Sequence, residues 1–211
     1  MFATDRDILA IEPSIFRDIS WVGQRLCNGT AKINNGSLEI TSTDNDLVAA
    51  RVQAGHVALI NGVAYEILAT TTGTAAEVSL LRGTIDDPVL VPADQPSNPF
   101  TITSFTPQIA IVHRQILRTI GIEPGSDRTP QESAIVNPRS LTHLEALGAL
   151  HLVLSAAGAM AGENAPISQR ARTIGARYRQ EREHARVELD LDGDGLADTV
   201  RTLNIIQFER I

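Results

Sequence analysis

The chain has 211 residues, 43% of them hydrophobic and 20% charged, which is enough apolar material for one ample domain or two small ones and unlike a disordered or fibrous composition. A formal net charge of −7 disfavours broad nonspecific DNA binding, which depends on Lys and Arg neutralising phosphates, and aromatics at 4% leave no stacking platform for single strands. The lone cysteine, Cys27, excludes an intramolecular disulfide and a cysteine-rich zinc site.

The first residues lack a basic region followed by an apolar block, so assembly in a cytoplasm is the expectation. Within residues 8–26, Pro13 suits the first turn of a short helix that turns Phe16, Ile19 and the Trp21-Val22 pair inward. From Gly29 to Phe105 the pattern changes to short β-branched and apolar runs separated by turn signals, as in a small antiparallel sheet or barrel. Asn34-Asn35-Gly36 separates Thr30–Ile33 from Leu38–Thr41, and Asn61-Gly62 separates Val57–Ile60 from Val63–Ala69. An Asn-Gly pair supplies the positive φ angles of a tight hairpin turn. Glu77–Leu81 and Thr101–Phe105 read as further strands, and the proline-bearing stretch Asp86–Pro99 as a loop.

Thr106-Pro107, a cap residue followed by proline, opens a helix carrying Ile109, Val112 or His113, Ile116 and Ile120 at helical spacing. After a polar linker, 123–136, Asn137-Pro138 repeats that start, and Leu141, Leu144, Leu147, Leu150, Leu152 and Leu154 leave scarcely any polar face. Such a helix belongs at the centre of a bundle. The longest apolar run, roughly 146–161, is interrupted by His151 and two glycines, so no membrane span is expected. Past the break at 162–166, Ile167, Ala171, Ile174, Tyr178 and Ala185 share a stripe, and six arginines, Arg170, Arg172, Arg177, Arg179, Arg182 and Arg186, crowd the same segment. Arginine suits bidentate pairing with carboxylates, so these residues mark a candidate partner interface, against the plainer reading of a solvated helix face. The period then changes to two in Val187, Leu189 and Leu191 and again across Val200–Ile211, as in a terminal β-hairpin.

The turn of that hairpin is a candidate metal site. Asp190, Asp192 and Asp194 alternate, Gly195 follows and Asp198 stands beyond, imitating the start of a calcium loop, but the twelfth position holds Arg201 instead of the bidentate glutamate. A looser Ca²⁺ or Mg²⁺ site competes with a turn whose aspartates simply accept backbone hydrogen bonds. The histidines show no metal-ligand spacing, and neither a nucleophile elbow nor a phosphate-binding glycine loop is present. No enzyme is expected from these residues.

The apolar helix Leu144-Glu-Ala-Leu-Gly-Ala-Leu-His-Leu-Val-Leu, the charged helix with Tyr178-Arg-Gln-Glu-Arg-Glu and the closing Leu189-Asp-Leu-Asp-Gly-Asp-Gly-Leu-Ala-Asp together resemble the head-to-tail connector, or adaptor, proteins of tailed bacteriophages over residues 106–202. The resemblance implies a structural virion protein without catalytic residues, forming a ring of about twelve copies that docks under the portal and meets a tail or stopper protein. It further implies a place in the virion neck, with DNA as passing cargo. The β-rich residues 29–105 depart from the compact helical members. The expected class is therefore α+β: residues 1–28 a helical segment packing on the bundle, residues 29–105 an inserted β-domain, and residues 106–211 a helical bundle with a terminal β-hairpin. The alternative function is a calcium-dependent binding module using the Asp190–Asp198 turn.

Overall fold

The structure, a computed structural model, describes residues 1–125 and 130–204. It combines helices with antiparallel strands, as the α+β expectation required, and divides into two compact units, one of residues 4–106 and one of residues 1–3 together with 107 onward.

The first unit is a closed barrel of six strands in the order β1-β2-β5-β4-β3-β6. The strands are β1 (Arg25–Asn34), β2 (Ser37–Thr43), β3 (Val57–Ile60), β4 (Val63–Thr72), β5 (Ala75–Ser79) and β6 (Gln95–Thr103). Both Asn-Gly pairs turn as their chemistry dictates: Asn35 and Gly36 have φ of 48° and 76°, and Asn61 and Gly62 have 48° and 80°. Closure pairs β1 with β6 antiparallel, removing the sheet edges that would otherwise be open to further strand pairing. Alternating side chains fill the interior, among them Ile33, Leu38, Ile60, Ile67, Phe100 and Ile102. Strand β6 begins within the stretch read as a loop. Pro96, which has no N–H to donate, falls where the β1–β6 register shifts between Ala31 and Ile33, and Pro99 accepts the amide of Asn61 on its carbonyl at 3.1 Å. At Gly29 a Cβ would sit 1.9 Å from the Ser42 carbonyl oxygen, so β1 and β2 approach there only through glycine.

The expected packing of residues 1–28 on the bundle is corrected: from Thr4 onward this segment belongs to the barrel unit. Helix α1 (Asp5–Ile11) opens on Thr4, whose backbone N–H and hydroxyl both donate to Asp7 Oδ2 at 2.8 and 2.9 Å. The reason for its allegiance is electrostatic as well as apolar. Arg6 Nε donates to Glu66 Oε2 of β4 at 2.8 Å, Arg82 pairs with the other oxygen of the same carboxylate, and Glu66 is 1% exposed. Asp5, also buried, accepts the Phe105 amide at 2.8 Å. Helix α2 (Ile15–Asp18) follows, burying Ile15 and Phe16. Phe16 and Ile19 turn inward as expected, but Val22 is 78% exposed because residues 22–24 form a 3-10 turn leading into β1.

In the second unit, α3 (Thr106–Thr119) and α5 (Pro166–His184) pack against the apolar α4 (Thr142–Ala161). A 3-10 turn at Pro138–Leu141 leads into α4, so the Asn137-Pro138 start is displaced by one turn. Glycines set the helix spacing: a Cβ on Gly148 would fall 2.7 Å from Val112 and 2.9 Å from Tyr178, and one on Gly175 would fall 2.6 Å from the His151 ring. The expectation that no stretch suits a membrane is also amended. Pro138–Ala161 is long and apolar enough to cross one by length and composition, yet 61% of its apolar window is buried, as in a core helix.

Strands β7 (Arg186–Leu189) and β8 (Thr199–Thr202) form the hairpin, with Val187 and Leu189 buried. The end of the linker lines the far side of β7: Val136 N–H donates to Glu188 O at 2.9 Å and Asp190 N–H to Ala134 O at 2.8 Å. Asn137 fixes that junction, its amide group bonding the Arg186 carbonyl and the Glu188 amide at 3.1 and 2.9 Å. The alternation read across Val200–Ile211 is strand to Thr202, and residues 205–211 lie outside the described residues.

Candidate functional site

The hairpin loop draws Asp190, Asp192 and Asp194 together, with one carboxylate oxygen from each within 4.8 Å of the others. Each is tied to the backbone. Asp190 accepts the amides of Gly193 at 2.6 Å and Gly195 at 2.8 Å, Asp192 Oδ1 that of Asp194 at 3.2 Å, and Asp194 Oδ1 that of Leu196 at 2.8 Å. Gly193 and Gly195 adopt φ of 86° and 85°, which is what turns those amides toward the carboxylates. The Gly195 and then the Gly193 amide hold the Asp190 carboxyl below its ordinary range. Asp198 does not join the three. Its Oδ2 accepts the amides of Leu191 and Asp192 at 2.6 and 3.2 Å, pinning the loop's base. Arg201, at the place of the calcium loop's last ligand, points elsewhere and donates to the Ile120 carbonyl. The arrangement can present three carboxylates to a hard cation, and it serves equally as a self-bonded turn.

The arginines divide into two sets. By the period of the helix, Arg170 and Arg177 flank one side of the strip of buried Ala171 and Ile174 and half-buried Tyr178, while Arg172, Arg179 and Arg182 flank the other. Arg186 falls outside the helix as the first residue of β7, because the chain becomes extended at Ala185. Arg172 reaches back across the α4–α5 turn to Glu163, 3.5 Å to a carboxylate oxygen and 3.1 Å to its carbonyl. Arg182 bonds the side chain of Tyr178, whose hydroxyl burial pushes to a higher pKa. Arg177, Arg179 and Arg186 are exposed.

A buried polar cluster escaped the sequence reading. Glu145 of α4, fully buried, accepts the Phe2 amide at 2.9 Å and lies 3.4 Å from His113 Nδ1, while His113 Nε2 is 3.1 Å from Glu132. Burial opposes charge on His113, but the hydrogen bond and charge of Glu145, aided by Glu132, outweigh it and raise its pKa. The available signal was a single carboxylate inside Leu144-Glu-Ala-Leu, since an acid in an apolar helix requires a buried partner. His143, His151 and His113 do not converge: His151 Nδ1 faces the Ala171 carbonyl at 3.1 Å.

Comparison with protein-family models, with curated proteins and with solved structures finds no match to this chain.

Proposed function

We propose that this chain is a structural protein of a tailed-phage neck, whose copies form a ring joining portal to tail and leaving a lumen for DNA. The observation that carries the reading is the second unit's surface. An apolar core helix is wrapped by helices whose outer flanks are arginine-rich, while the hairpin of the same unit projects an acidic loop, so one copy offers charges of both signs to its neighbours. The action is geometric and needs no catalytic group. The ring assembles in the host cytoplasm at about twelve copies, by the adaptor resemblance. Its acidic average keeps a conduit from gripping DNA, because fixed negative charge repels phosphate. Mixed with its portal and run on size exclusion with light scattering, the protein is expected to co-elute as a high-mass ring. Persistent failure to bind the portal or any other virion component contradicts the reading, whereas a lone monomer in isolation does not.

The aspartate triad favours a second reading, a calcium-dependent binding module. Calorimetry with calcium separates the two. Saturable heat that vanishes in Asp192→Ala and Asp194→Ala supports the module, and a featureless titration leaves the loop as a turn.

A further inference from the structure

Between α3 and α5 the second unit carries an open pocket of about 400 Å³, lined by Gln115, Ile116 and Arg118 of α3, Tyr178 and Arg182 of α5, and Leu203 beyond β8. Its floor is apolar, since Ile116 and Leu203 are buried residues and the Tyr178 ring lies against Gly148. Its rim carries two guanidinium groups, and among the described residues no carboxylate lines it. Such a pocket suits a ligand that pairs an apolar side chain with acidic groups on either side.

The hairpin loop has that composition. Leu191 and Leu196 are 52% and 69% exposed, and they are interspersed with Asp190, Asp192, Asp194 and Asp198. Asp192 and Asp194 each use only Oδ1 for the turn's own amides among the described hydrogen bonds, which leaves Oδ2 to accept from a partner. The geometry points to this pocket as the docking site for the acidic loop of a second copy, Leu196 entering over Ile116 and Leu203 while Asp192 and Asp194 pair with Arg118 and Arg182. Loop and pocket are different surfaces, so the contact is heterologous and propagates from copy to copy, as ring closure requires. The inference deepens the ring reading and rests on it.

Cross-linking between full-length chains tests it. One chain carries Gln115→Cys and a differently tagged chain carries Ala197→Cys. Cys27 needs no replacement, because it is buried and its thiol is pushed up to about 12 by that burial and by Asp44 and Asp46. A short bismaleimide should join the two chains at least about tenfold faster than it joins Gln115→Cys to a Met160→Cys control. Arg118→Glu with Arg182→Glu should remove that advantage. So should Asp192→Asn with Asp194→Asn, a change that keeps the Oδ1 acceptors of the turn while removing the charge and replacing the Oδ2 acceptor with an NH2 donor. Cross-linking no faster than the control, or indifferent to either pair of substitutions, overturns the proposal. Saturable binding of inorganic phosphate at Arg118 and Arg182 without the loop cross-link also overturns it and assigns the pocket to small anions. The cross-link reads pairing between copies and portal co-elution reads the neck assignment, so either can fail while the other stands.

Discussion

Replacing Glu66 with alanine is expected to destabilise the barrel unit by about 3–5 kcal/mol, read as a lower denaturation midpoint and faster hydrogen exchange in β4 and α1. The carboxylate is 1% exposed and neutralises two guanidinium groups whose side chains are only 6% and 12% exposed. Its removal leaves Arg6 with the Arg82 carbonyl at 2.6 Å and the partly exposed Asp7 carboxylate at 3.0 Å, and leaves Arg82 with the carbonyls of Ile85 and Asp87 at 2.9 and 3.0 Å in place of an anion. Stranding a buried charge costs more than the ion pair contributed, so Glu66→Leu combined with Arg6→Leu should lose less than the sum of the two single changes. A Glu66→Ala protein with an unchanged midpoint would mean that the network is a surface decoration.

A second large effect concerns pH. Asp5 is buried, its Oδ2 has no hydrogen-bond partner, and burial raises its carboxyl from the ordinary 3.8 to about 7 against the opposing hydrogen bonds of Ser104 and Phe105. The folded chain therefore holds this proton more tightly than the unfolded chain. The associated stability is fully present below about 3.8 and is lost as pH rises through about 7. Above that range the ionised group costs on the order of 4 kcal/mol. Asp5→Asn mimics the protonated acid and retains an acceptor for the Phe105 amide. It should be more stable than the parent at pH about 8 and should lose the larger part of the parent's decline toward neutrality. His113, raised by Glu145, acts with the same sign in the helical unit: its contribution is complete below its ordinary 6.5 and disappears as pH rises through its folded value. A modest decline should thus survive in Asp5→Asn. Equal pH profiles for Asp5→Asn and the parent would contradict this assignment.

Local chemistry was legible in the sequence, and distant pairing was not. The turns at Asn35-Gly36 and Asn61-Gly62 and the helix start at Thr106-Pro107 could be read because a few adjacent residues determine them. The closure of β1 on β6 depends on residues some seventy apart, such as Cys27 and Ile102, and β6 was hidden by its prolines, one of which falls at a shift in register. The same limit concealed the allegiance of α1, which hangs on Arg6 meeting Glu66 across 60 positions. At the hairpin, alternation put Asp190, Asp192, Asp194 and Asp198 on one loop, but it could not show that only the first three carboxylates draw together while that of Asp198 is taken by the amides at the loop's base. The pocket between α3 and α5 could not be read at all, because its two arginines belong to helices brought together by the glycine-spaced core.

The central claim is that copies of the helical unit form the ring beneath a portal. Cryo-electron microscopy of intact virions of the phage proposed to encode it tests it most directly. The account predicts a closed layer between portal and tail into which α3, α4, α5 and the hairpin fit once per subunit. A neck density fully explained by other polypeptides, with this chain absent from the purified particle, would contradict it.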